Sequence, residues 1–135
     1  MSIPALAAAL DLAPHPEGGW YRRTWTSTVT VDTPAGPRPS ATAVLYLLDG
    51  VSRWDRVRSA ERWCWHRGSA VALRCGGAGD APAPSTPEGL DADRPQLEVP
   101  AGTWQTACLL GADHALITCV VSPGFDFADL ELAPT

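Results

Sequence analysis

The chain has 135 residues, 45% of them hydrophobic and 19% charged, with a formal net charge of −5. That balance describes one globular domain with enough length to bury a core, not a disordered chain. No basic run stands out, which argues against nucleic acid as a partner; no segment nears the roughly 20 apolar residues that span a bilayer; and all ten basic residues are arginine, so lysine Schiff-base chemistry is excluded.

Ile3 to Leu12 reads as a short amphipathic helix; Met1 to Ala13 lacks the basic start of a signal peptide and carries Asp11. Pro14-His15-Pro16-Glu17-Gly18-Gly19 holds too many breakers for regular structure and predicts a turn, with His15 part of a rigid segment. Trp20 to Val31, rich in Thr, Val and aromatics, predicts a strand, and Thr33 to Pro39 a loop. Thr42 to Leu48 predicts a second strand closed by Asp49-Gly50. Ser52 to Arg58, Arg62 to Arg67 and Ala70 to Arg74 follow as strands, with Gly68 a turn. Residues 76–95 are Gly, Pro, Ala and Asp-rich and predict a mobile surface loop. Gln96 to Val99, Thr103 to Leu110 and His114 to Val121 are the last strands, the final two a hairpin around Gly111-Ala112-Asp113. Short strands at regular spacing with a single helix predict an all-β sandwich or barrel.

Cys64, Cys75, Cys108 and Cys119 form no Cys-x-x-Cys pair. They read as free thiols in a reducing compartment, so a cytoplasmic location is expected. Cys64 lacks an activating partner in the sequence. No nucleophile elbow or phosphate-binding glycine loop is present.

Alternation along strands sorts the candidate site. Asp55 and Val57 share one face; Glu61, Trp63 and Trp65 share another, with Arg62, Cys64 and His66 opposite. Arg22 and Arg23 should lie on opposite faces of their strand, so that one points inward.

Four stretches, Pro14 to Gly19, Trp54 to Gly68, Val99 to Gln105 and Ser122 to Phe127, together resemble the cupins, and more narrowly the small single-domain cupins of unassigned function related in fold to sugar epimerases. The resemblance implies one domain over residues 1–135: a double-stranded β-helix, or jelly-roll barrel, with one short N-terminal helix, a ligand cavity and a homodimeric state. The general cupin pattern, His-x-His-x3–4-Glu-x6-Gly followed by Pro-x-Gly-x2-His, supplies three histidines and a glutamate to a metal. Here those positions hold Asp55, Val57, Glu61 and Gln105. Two carboxylates and an amide are a poor set for a first-row metal that prefers imidazole, so no metal and no cofactor are expected.

Asp55 and Glu61 facing one aromatic cavity make a candidate acid–base pair, because poorly solvated carboxyls have pKa values pushed apart. Trp63, Trp65 and Tyr46 are candidates for an aromatic wall around a substrate, Arg23 for an anionic group of it, and Gln105 and Glu17 for further contacts. A structural alternative pairs Asp55 with Arg23 or Arg53 to close the barrel. Three functions follow in order: a metal-independent isomerase, epimerase or cyclase, in secondary metabolism; a cupin that binds a metabolite without changing it; and a metal-dependent oxygenase. The expected partner is a small molecule.

Overall fold

A computed structural model describes residues 3–134. One short helix, α1 (Ala5–Ala9), precedes thirteen strands: β1 (Ala13–Pro14), β2 (Trp20–Thr26), β3 (Thr30–Thr33), β4 (Gly36–Pro39), β5 (Thr42–Leu48), β6 (Asp55–Arg56), β7 (Ala60–Gly68), β8 (Val71–Cys75), β9 (Glu88–Leu90), β10 (Gln96–Val99), β11 (Gln105–Leu109), β12 (Ala115–Ser122) and β13 (Glu131–Leu132). Six strands form one antiparallel sheet in the order β1-β2-β5-β12-β7-β10, and five form a second in the order β13-β6-β11-β8-β9. The crossovers between non-consecutive neighbours are those of a jelly roll. The expected all-β barrel with one N-terminal helix is the fold of this chain.

Alternation builds the interior. Along β12 every second residue, from Ala115 to Val121, is buried. Tyr46 and Leu48 of β5 and Trp63 of β7 flank it in the same sheet, and Leu73 of β8 comes from the other. The outer face of the larger sheet is capped by α1, whose Ala7 packs with Leu12 and Leu47. The helix is shorter than the expected Ile3 to Leu12, because Pro4 sets its start and Asp11, at φ 56°, lies in the left-handed region just past its end.

Other boundaries differ for physical reasons. The run from Trp20 to Val31 is split: β2 ends at Thr26, and β3 pairs instead with β4. Residues 33–39, expected to be a loop, supply β4, a two-stranded edge element where proline costs no ladder bond of a central strand. Gly36, at φ 110°, makes the turn. The stretch 76–95 is not wholly a loop, since β9 pairs with β8 and buries Leu90 in the core. Only Asp55–Arg56 of the Ser52 to Arg58 run is strand; it joins β11 through Asp55↔Gln105.

Candidate functional site

A cavity of about 680 Å³ opens at one end of the barrel. Its floor comes from three strands. β6 brings Asp55, β7 brings Glu61 and β11 brings Gln105, and the three side chains are 1%, 8% and 3% exposed. Gln105 holds the arrangement. The Trp63 indole can only donate, and its Nε1 donates to Gln105 Oε1 at 3.0 Å. That fixes the amide: Nε2 points the other way and donates to Asp55 Oδ1 at 3.1 Å and to Glu61 Oε1 at 2.8 Å.

A third carboxyl arrives from the turn before β2. Glu17 lies close enough to the Asp55 carboxyl that the charge of one governs the protonation of the other. Asp55 Oδ2 is buried without a hydrogen-bond donor among the described residues, which favours a proton shared between the two carboxyls. Burial first, then the charge of Asp55, pushes Glu17 well above the usual carboxylate range, so Glu17 holds a proton more readily than Asp55 does. Asp55 is raised by burial and pulled back by the hydrogen bonds from Glu17 and Gln105. Burial, with the Asp55 charge behind it, pushes Glu61 up to about 7. The hydrogen bonds to Glu61 from Gln105 and from the Cys119 thiol oppose that rise. Cys119 itself is pushed well above the ordinary thiol value by burial, so it stays a thiol and donates.

The Glu17 turn depends on glycine. Gly18 and Gly19 have φ of 104° and 77°, and the Tyr46 hydroxyl donates to the Gly18 carbonyl at 2.7 Å. A Cβ on Gly19 would meet Leu47 O at 2.7 Å and the Tyr46 hydroxyl at 2.8 Å. Gly19→Ala is therefore expected to cost about 2 kcal/mol, since backbone strain and a close clash add. A melting temperature equal to that of the unaltered protein would contradict this packing.

The walls are aromatic, but of the three residues expected only Tyr46 contributes. Trp63 and Trp65 do not line the cavity. Both lie on the inner side of β7 as alternation predicts, but deeper along the strand than Glu61. Trp63 is 1% exposed beneath Gln105, and Trp65 packs on the core with its Nε1 donating to Ser69 O. Tyr46 does line the cavity, with His15, Tyr21, Phe125 and Phe127. These rings meet edge-on: His15 to Tyr21 at 4.7 Å and Phe125 to Phe127 at 4.9 Å between centroids.

Arg22 and Arg23 both reach the cavity, contrary to the expectation that only one would. They belong to an edge region where the β2–β5 register shifts between Arg23 and Trp25. Arg23 Nη2 donates to Phe125 O, Arg22 Nε to Leu10 O and Arg53 Nη2 to Ala133 O. None of the three pairs with Asp55, which removes the barrel-closing ion pair. His66 lies on the outer face, with its Nε2 2.6 Å from Thr118 Oγ1. His15, expected to be only part of a rigid turn, is a site residue that sequence reasoning missed; its place between two prolines beside Glu17 was the available signal.

The donors present do not fit a metal. Gln105 turns N–H groups, not a lone pair, toward the two carboxyls, and Val57 has no donor atom. Among the described residues no three His, Cys, Asp or Glu side chains are grouped to hold an ion.

The family described as Cupin superfamily (DUF985) matches residues 4–133. A protein of Shewanella oneidensis is 30% identical over 94% of this chain and 81% of its own, with a TM-score of 0.84. A hypothetical protein of Leishmania major is 28% identical over 93% and 83%, with a TM-score of 0.81. Pac13, a nucleoside dehydratase of Streptomyces, is 17% identical over 84% of each chain, with a TM-score of 0.52, a likeness of fold alone. A comparison with curated proteins found no match.

Proposed function

The chain belongs to the cupin superfamily, and from that premise we propose that it binds a small molecule in the barrel and moves protons on it without a metal, as an isomerase, epimerase or cyclase. One observation carries this reading: Glu17, Asp55 and Glu61 line one cavity, with Gln105 donating to two of them, and burial raises each to a different degree.

Glu61, titrating near neutrality, suits a general base. Glu17, holding the proton it shares with Asp55, suits the acid. Gln105 and Trp63 lock the geometry, so no reorganisation is needed as charge moves. Tyr21, Phe125 and Phe127 would exclude water from the apolar part of a ligand, and Arg23 at the rim would take an anionic group of it. That another barrel of this fold is a nucleoside dehydratase supports the view that such a cavity can host chemistry on a small polar molecule.

The test is exchange of carbon-bound hydrogen. The protein is incubated in D2O with a panel of small hydroxy and oxo compounds, and deuterium uptake is followed by NMR. Uptake at one carbon of one compound is expected. A compound that binds tightly with no exchange and no product would replace this reading with that of a metabolite-binding cupin.

A further inference from the structure

His15 has one ring nitrogen engaged and one open. Its Nδ1 lies 3.1 Å from the Glu17 backbone N–H, which can only donate. Nδ1 therefore carries the lone pair, and in the neutral ring the proton sits on Nε2. The Glu17 carboxyl is 3.7 Å from Nδ1, but with the lone pair on that nitrogen this is no ion pair. Nε2 makes no hydrogen bond among the described residues. The buried side-chain atoms left without a partner are Asp55 Oδ2 and Ser85 Oγ, so Nε2 is not sealed in protein; it belongs to a ring that lines the cavity. Tyr21, Tyr46 and Phe127 hem that ring in, with centroids at 4.7, 5.9 and 6.0 Å. Pro14 and Pro16 stiffen the backbone on either side.

The geometry points to the His15 Nε2–H as an electrophilic donor to a substrate oxygen, and hence to a substrate class: small carbonyl compounds with a removable hydrogen on the adjacent carbon. This inference rests on the acid–base reading of Glu61. In the forward step the Glu61 carboxylate takes the proton from that carbon. The C–H pair becomes the C=C bond of an enolate, and the carbonyl π pair moves onto oxygen. The Nε2–H donates to that oxyanion and keeps its proton. Return of a proton to carbon, from Glu61 or from Glu17, reverses the electron flow and restores a carbonyl. Glu61 and Glu17 then re-equilibrate through solvent, so no oxidant, reductant or co-reactant enters. Burial supports the role by lowering His15 to about 4, which keeps it neutral while the carboxyls work.

Two measurements test this without any turnover. Nitrogen-15 NMR of the unaltered protein at neutral pH is expected to show His15 as neutral imidazole protonated on Nε2; a ring protonated on Nδ1, or an imidazolium, overturns the inference. Binding of pentafluorophenolate, a flat aromatic oxyanion, is then compared with that of hexafluorobenzene by fluorine NMR. The unaltered protein is expected to prefer the phenolate, and His15→Phe to lose roughly tenfold or more of that affinity while binding hexafluorobenzene unchanged. No preference for the phenolate, or one that survives His15→Phe, overturns it. Should His15→Phe not fold, His15→Gln, which keeps an N–H donor, is expected to retain the preference, and its loss there counts against the donor role. Failure of the exchange assay with an intact oxyanion preference would instead count against Glu61 as base.

Discussion

Glu61→Gln is expected to change activity and stability in opposite directions. Exchange of substrate hydrogen should fall by roughly 10²- to 10⁴-fold, the usual worth of a positioned general base. Stability at alkaline pH should rise. Glu61 moves from an ordinary 4.5 to about 7 on folding. Between those values the folded protein holds a proton that the unfolded chain has released, so stability falls as pH climbs through the window and the deficit is complete above the folded value. The gap corresponds to about 3 kcal/mol. His15 acts with the other sign: its folded value is lowered to about 4, so its contribution is lost as pH falls from 6.5 through that value. Comparing the variant with the unaltered protein cancels His15 to first order. Urea denaturation near pH 4.5 and again near pH 8 should therefore show the variant gaining about 3 kcal/mol on the unaltered protein between the two. A gain within error of zero would mean that Glu61 is not held in the buried, proton-retaining state on which the proposed chemistry depends.

Gln105→Leu is expected to destabilise the fold by about 3 kcal/mol or more. The side chain makes three buried hydrogen bonds, one accepted from Trp63 Nε1 and two donated to Asp55 and Glu61. Leucine fills the space but leaves the indole N–H without an acceptor and takes one donor from each of two buried carboxyls. Those are desolvated groups, so their cost exceeds the worth of the bonds removed. The same change should move titration. Gln105 holds both carboxyls down by hydrogen bonding, so its loss raises Glu61 and Asp55 further. The acidic limb of any pH–rate profile should then shift to higher pH. An unfolding free energy within about 0.5 kcal/mol of the unaltered protein would rule out the three-bond hub.

Much of the barrel was legible because strand period and burial go together. Asp55, Glu61 and Gln105 stand at cupin spacings, and alternation is enough to turn them to the interior. The same rule misplaced Trp63 and Trp65. Alternation gives the side of a sheet, not the depth along the barrel, and both indoles sit below the floor rather than beside a ligand. His15 was hidden for another reason. Its approach to the cavity depends on Gly18 and Gly19 folding the chain back under the Tyr46 hydroxyl, a tertiary contact with no local periodicity. Phe125 precedes and Phe127 opens a single 3₁₀ turn, Phe127–Asp129, which has no strand alternation to assign a face. The β3–β4 hairpin was missed because its prolines argue against strand, and only an isolated two-stranded ribbon tolerates them.

Arg38 of that hairpin donates twice to Asp129, at 2.9 Å each, and so ties the turn bearing Phe127 to the barrel. Floor and rim thus have separate supports. The floor groups Asp55, Glu61 and Gln105 ride on interior strands, where a change of volume is felt throughout the core. The rim residues 21–23 and 125–130 hang instead on the Arg23 bond to Phe125 O, the Thr42 hydroxyl beneath Phe125 N, and Asp129 held between Arg38 and Arg58. Mutation at these rim positions can therefore retune which molecule enters while Asp55, Glu61 and Gln105 stay in place. Proteins descended from a common barrel would diverge first in appetite and only later, if at all, in chemistry.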